Sequence, residues 1–266
     1  MIKRILPCFT PVQYSLGRII LTGSCFLPWF RSSYQSIDRR QFSWALLVGL
    51  TGYLGSYLFM GLSQRHVPSN QAGVLSSLAP LFTFIVGIIF FSQPFKWSKA
   101  LGVGLGLIGC LFILFASGKA SGKFGFEPYA LFMIGSVFCS GVSINLVQKY
   151  LRGIPTFKST AVSYGAWVFP SLFIFIFFTD WRSSFQNEHI WVCMACFCCL
   201  SLLGTVLATL IYYHIISLHG ALYTSTVTYI IPITALMWGF IDGESIYILE
   251  MLGFAFILGS IKLIRR

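Results

Sequence analysis

Few residues of this chain could do chemistry, and most of them stand in apolar surroundings. Arg18 is the only basic residue in the middle of a long apolar run, the others standing at or near the ends of runs or in connectors. A guanidinium in hydrocarbon costs on the order of 3 kcal/mol on insertion scales, so it turns towards a polar partner or a wet cavity. It could hold an anionic group of a ligand, snorkel outward, or bond backbone carbonyls in a structural role. Asn145 and Gln148 lie three apart on one helical face, and Ser136, Ser140 and Ser143 continue a small polar stripe along the same run. Such stripes either pack helices or line a cavity. Tyr57, Tyr212, Tyr213 and Tyr229 are amphipathic and suit an interface or a binding wall, with Tyr229 the deepest because it is three residues from Pro232.

Two prolines, Pro80 and Pro232, stand at matching places inside apolar runs. Pro80 follows Ser76 by four residues and Pro232 follows Thr228 by four. A proline removes one helical donor and frees the carbonyl four residues back, so Ser76 and Thr228 carry the freed groups. Asp242 and Glu244 end the second of these runs. They read either as a solvated helix end or, for Glu244, as a coupling or gate carboxylate.

Other motifs carry little. Gly104, Gly106 and Gly109 spell GxGxxG, but no strand precedes them, so close helix packing explains them better than a dinucleotide. Cys193 and Cys196 form a CxxC without a second ligand pair, and all eight cysteines lie in or beside apolar runs, where they act as small hydrophobes. The four histidines fall near the ends of runs without ligand spacing. There is no phosphate-binding loop and no carboxylate pair within one run. No enzymatic activity, cofactor or metal is therefore expected.

The elements that must position these residues follow from composition. The chain is 56% hydrophobic and only 9% charged, with 27 phenylalanines. A soluble surface cannot be built from so few charges, so the class is a polytopic membrane protein. Its net charge of +11 resides in short connectors, which argues for membrane topology and against a nucleic-acid partner. Nine apolar runs are long enough to span: 10–30, 42–63, 71–92, 99–117, 128–149, 160–179, 190–213, 221–241 and 247–264. None alternates as a barrel strand does, so an all-α helical bundle of nine transmembrane helices is expected. Connectors on one side hold six Lys and Arg, including Lys3, Arg4 and Arg65. Those on the other hold eleven, including Arg39, Lys149 and Arg266. The richer side should be cytoplasmic, which places the C-terminus inside the plasma (inner) membrane.

The sequence also repeats. At a constant offset of 152, Gly52 falls on Gly204, Pro80 on Pro232 and Gly87 on Gly239; with one residue dropped, Gln93 falls on Glu244 and Gly102 on Gly253. The repeat divides the chain into 1–120, with four helices, and 127–266, with five. An odd number of helices per unit makes the units inverted. The first unit is then expected to lack its opening helix, which would also bring Lys3 and Arg4 to the basic side.

These residues resemble the EamA-type carriers of the drug/metabolite transporter superfamily. The resemblance rests on Pro11 with Arg18, on Ala72-Gly-Val-Leu-Ser-Ser-Leu-Ala-Pro80, on Ser225-Thr-Val-Thr-Tyr-Ile-Ile-Pro232, and on Glu244 followed by Gly253. Gln93 stands where that family usually has Glu. The resemblance implies two inverted repeats and alternating access for small polar metabolites, with export of amino acids or related compounds as the family default. Candidate substrate-binding residues are Arg18, Tyr57, Ser76, Pro80, Asn145, Thr228, Tyr229 and Pro232. The expected partners are a small-molecule substrate and the lipid bilayer. A chain short of one helix could complete its bundle as a homodimer. The competing reading is a transport-inactive truncated paralogue or a membrane scaffold or assembly partner.

Overall fold

The computed structural model describes residues 5–67, 69–121, 128–185, 189–231, 233–234 and 248–265. Among these residues all regular structure is helical. The helices are α1 (Pro11–Gln35), α2 (Arg39–His66), α3 (Ser69–Ser76), α4 (Ala79–Phe91), α5 (Trp97–Ser121) and α6 (Ala130–Tyr150). They continue with α7 (Thr156–Phe178), the short α8 (Trp181–Phe185), α9 (Ile190–His219), α10 (Ala221–Ser225) and α11 (Ile248–Arg265). A 3-10 turn, Thr226–Tyr229, follows α10. Pro232, Asp242 and Glu244 lie outside the described residues.

Four helices, α2, α6, α7 and α9, are long and apolar enough to cross a membrane by length and composition. Large apolar side chains point outward: Phe177 is 70% exposed and Trp191 83%. A water-soluble molecule does not expose so much contiguous apolar surface, whereas lipid accepts it.

Local sequence explains where the helices begin and break. Thr10 caps α1: its hydroxyl accepts from the Gln13 N–H at 3.3 Å, and the Gln13 side chain accepts from the Thr10 N–H at 2.8 Å. Pro11 follows at the first helical position, where its missing N–H costs nothing. The 71–92 run is not one helix. α3 stops at Ser76 and α4 starts at Ala79, because Pro80 can open a helix but not sit within one without losing a bond. Two helices loosen midway into π segments, Gly49–Gly55 within α2 and Leu202–Leu207 within α9.

The boundaries recur along the chain. Shifted by 152 positions, α2 falls on α9, α5 on α11, and the first π segment on the second to within a residue. Three helix pairs dominate the packing, α1 with α7, α2 with α6 and α5 with α11. The last pair is close because Gly109 faces the backbone of Gly253, where an added Cβ would stand 2.7 Å from the carbonyl oxygen. This is the close contact that the GxGxxG spacing serves.

Helix direction gives the bundle two ends. One carries Arg39, Lys149 and the last residues of α11, and is called the basic end below; the other carries Pro11, His66, Ala130 and Ile190. The largest buried apolar cluster lies towards the basic end and includes Phe26, Val48, Tyr53, Phe91, Leu151, Tyr164 and Ile216. At the other end Cys8 and Cys193 form a disulfide, so two of the cysteines read as small hydrophobes are in fact a cross-link between the start of α1 and α9.

Candidate functional site

Between α1, α2, α6 and α9, with α3 and the 3-10 turn at one side, lies a cavity of about 470 Å³. Its wall includes both π segments, through Gly52 and Tyr53 on one side and Gly204 on the other. A π segment widens the helix and disturbs its regular bonding, which is why such segments often sit at functional sites. The cavity runs from Tyr53, midway along α2, and Tyr213, nearer the basic end, past Arg18 to Met60 and Met133, nearer the opposite end.

Arg18 faces this cavity and is 7% exposed. Its Nε donates to the Thr205 hydroxyl at 2.9 Å and its Nη1 to the Tyr14 hydroxyl at 2.8 Å. The guanidinium carbon lies 4.0 Å from the centre of the Tyr57 ring, a cation–π contact. Two hydroxyls and a ring face thus hold the charge, and no Asp or Glu among the described residues lines the cavity. Tyr14 lies one turn before Arg18 on α1, and Thr205 sits inside the second π segment.

Below Arg18, towards the basic end, tyrosines close the cavity. Tyr57 and Tyr164 share a hydroxyl bond of 2.8 Å, and Tyr53 bonds Tyr213 through their hydroxyls. The Tyr53 and Tyr164 rings stack with centroids 3.6 Å apart. These phenols link α2 to α7 and α9, so they join the two halves of the sequence.

The serine stripe of α6 does two jobs. The Ser136 hydroxyl donates to the Ser56 carbonyl at 2.8 Å, the Ser56 hydroxyl bonds those of Ser136 and Ser140, and Ser143 reaches the Val48 carbonyl at 3.4 Å. These bonds fasten α6 to the π segment of α2 and its flanks, and the same serines line the cavity.

Of the residues singled out in the sequence, Arg18, Tyr57, Ser76, Thr228, Tyr212 and Tyr213 line the cavity. Asn145, Pro80 and Tyr229 are buried elsewhere. The Asn145 Nδ2 donates to the Thr83 and Gly141 carbonyls at 2.9 and 2.8 Å, and its Oδ1 accepts from Gln93 Nε2 at 2.8 Å. Gln148, one turn on, accepts from the Ala221 N–H at 2.6 Å and so holds the start of α10. The Tyr229 hydroxyl donates to the Val103 carbonyl at 3.2 Å. Residues that the sequence left unmarked are Tyr14, Tyr53, Tyr164 and Thr205. Only the spacing of Tyr14 to Arg18 and of Tyr53 to Tyr57, one helical turn each, offered a signal.

Comparison with known proteins agrees with this architecture. A solved crystal structure superposes with a TM-score of 0.66 at 16% identity, covering 96% of this chain and 87% of that one, which shows a shared fold. The chain is 23% identical over 265 residues to the uncharacterized transporter YdfC of Bacillus subtilis (strain 168), covering 98% of this chain and 83% of the relative. Shorter similarities link it to the WAT1-related protein At3g28100 of Arabidopsis thaliana, 29% identical over 48% of this chain and 37% of the relative. A further one is to a "Probable terminal-alkyne amino-acid exporter" of Streptantibioticus cattleyicolor, 27% identical over 28% of this chain and 25% of the relative. The EamA-like transporter family matches residues 1–115 and 128–266, nearly the whole length, and the chain belongs to that family of membrane transporters.

Proposed function

We propose that the protein carries small polar metabolites across the plasma (inner) membrane by alternating access, with its C-terminus in the cytoplasm. The observation that supports this most is the cavity of about 470 Å³, shared by helices of both sequence halves and holding one buried cation. A volume in the range of about 300–1,000 Å³ suits a small ligand. Substrate sites of repeat-built carriers lie between the repeats, where interrupted helices present backbone groups. The π segments and the break before Pro80 supply such groups here. Bonded tyrosines stand on the basic-end side of the cavity, where a carrier that opens one end at a time would need a closure. The two units, 1–120 and 127–266, are the bodies that rock. One relative is named an amino-acid exporter, and amino acids or related metabolites leaving the cell are the first cargo class to test.

The test is reconstitution of the full chain into liposomes with a panel of radiolabelled metabolites. At least one solute is expected to accumulate above protein-free vesicles, and Arg18→Ala is expected to lower its uptake about tenfold, equivalent to about 1.4 kcal/mol. If no solute moves and none raises the thermal midpoint, the transport reading falls.

A further inference from the structure

The cavity is built for one sign of charge. Arg18 is its only charged wall residue among the described residues. A guanidinium carries five N–H donors in a planar fork. The structure satisfies two of them on Thr205 and Tyr14, and both acceptors are neutral hydroxyls. The charge therefore stays uncompensated in a site of low dielectric, where an anion gains most from pairing with it. The hydroxyls around it already bond one another: Ser56 with Ser136 and Ser140, Tyr53 with Tyr213, Tyr57 with Tyr164. Among the described residues an incoming ammonium finds no carboxylate there and meets a wall that is already positive. Ring faces complete the surroundings. Tyr57 stacks under the guanidinium, and Tyr53, Tyr212 and Tyr213 form the adjoining wall.

We infer that the cargo of this cavity is a monoanion with a flat apolar body, an aromatic monocarboxylate in the simplest case, and that an amino group adds nothing to its recognition. The inference rests on reading the cavity as the transport site. Charge balance decides it. Counting the described residues, a monocarboxylate on Arg18 leaves the cavity neutral, a zwitterion leaves one positive charge without a partner, and a cation adds a second to the first. The carboxylate takes the free edge of the guanidinium, and the ring lies against the tyrosine faces, where offset or edge contacts are favourable.

Three compounds with the same ring separate the cases: 3-phenylpropionate, phenylalanine and 2-phenylethylamine, with 3-phenyl-1-propanol as the uncharged control. Binding to the purified full chain is read by thermal shift, and uptake by counterflow in liposomes. 3-Phenylpropionate is expected to bind at least tenfold more tightly than phenylalanine, with the amine and the alcohol inactive. Arg18→Lys is expected to retain part of that affinity and Arg18→Ala to lose it. The comparison among the four compounds uses the wild-type protein, so it stands even where the variants fold poorly. Phenylalanine binding as tightly as the acid, or the amine or alcohol binding at all comparably, overturns the inference and leaves the transport reading intact. So does transport of other solutes with none of the four bound. Failure of every solute in the wider panel overturns both.

Discussion

The two ends of the bundle are closed by different means. At the basic end, closure is packing. Tyr164 is fully buried, stacked on Tyr53 at 3.6 Å and on Phe26 at 6.0 Å, and Trp44 lies flat on Tyr150 at 3.8 Å. At the other end, the buried cluster is small and a disulfide runs through it, joining Cys8 to Cys193 beside Phe9, Tyr14 and Phe197. A second cavity, of about 650 Å³, lies there, with Arg65, Asp180 and Ser184 in its wall. Packing across two halves can be undone and remade by sliding, whereas a covalent bond keeps two helices together through any motion. Separating helices therefore costs less at the phenol contacts than at the cross-link.

The most direct way to break this comparison is Tyr164→Ala. Removing a fully buried aromatic ring takes away its apolar transfer energy and leaves a cavity, together about 3–5 kcal/mol. The thermal midpoint in detergent is expected to fall steeply, and Tyr164→Phe, which removes only the hydroxyl that bonds Tyr57 and Thr209, is expected to recover most of it. Equal losses in both variants would mean that the hydroxyl, not the ring, holds the basic end.

Cys8→Ser tests the other end. Loss of a cross-link between distant residues costs about 2–4 kcal/mol where the unfolded chain is otherwise free. The midpoint is expected to drop, and reduction of the wild-type protein is expected to reproduce the drop. Alkylation followed by mass measurement gives an independent check. Without reduction, Cys8 and Cys193 should stay unlabelled, and labelling at all eight cysteines would remove the cross-link from the account.

Asn145→Ala probes a polar contact on the basic-end side, apart from the tyrosines that line the cavity. Asn145 is fully buried and joins α6 to α4 through Gln93 and the Thr83 carbonyl. Its loss leaves buried polar groups without partners, at about 1–3 kcal/mol. Stability is expected to fall while the affinity of the remaining folded protein for any transported solute stays within a few-fold. A large loss of affinity with unchanged stability would move Asn145 into the binding site.

What the sequence made legible follows from contrast. Arg18 stood out because a charge in an apolar run is rare and costly, and Pro80 because a missing N–H removes a helical bond in the middle of an apolar run. Gly52 and Gly204 stood out as a repeated pair and lie within the two π segments, yet nothing in either stretch signals a π turn, because a local change in bonding leaves no mark on composition. Tyr53 and Tyr164 were hidden for the opposite reason. With aromatic residues at 17% of the chain, one more tyrosine in a run carries no information. Thr205 is an ordinary hydroxyl until α9 is packed against α1. The pairing of Cys8 with Cys193 depends on chain separation in space, although both fall on the same side once the helices are threaded.

The finest distinction between the ends is a single hydroxyl. Tyr53 and Tyr213 meet through their phenol groups, one from α2 and the other from α9, at the floor of the cavity. Tyr53→Phe keeps the ring and its stack on Tyr164 and deletes only that bond. A hydrogen bond between neutral groups contributes about 0.5–1.5 kcal/mol, so global stability should hardly change. The same energy acts differently on a local equilibrium. If the basic end opens by separating α2 from α9, losing about 1 kcal/mol shifts the open fraction by roughly fivefold. Hydrogen exchange along Ala208–His219 is therefore expected to speed up by that factor, with exchange in α1 near Cys8 unchanged. The complementary Tyr213→Phe also removes the hydroxyl's contact with Ser143, so it is expected to speed exchange at least as much, and the double variant no more than Tyr213→Phe alone, because the Tyr53–Tyr213 bond is lost in each. Additive effects would mean that each hydroxyl has its own partner, and the floor would then be held by two independent contacts. Acceleration confined to α1 would place the mobile closure at the disulfide end and reverse the comparison.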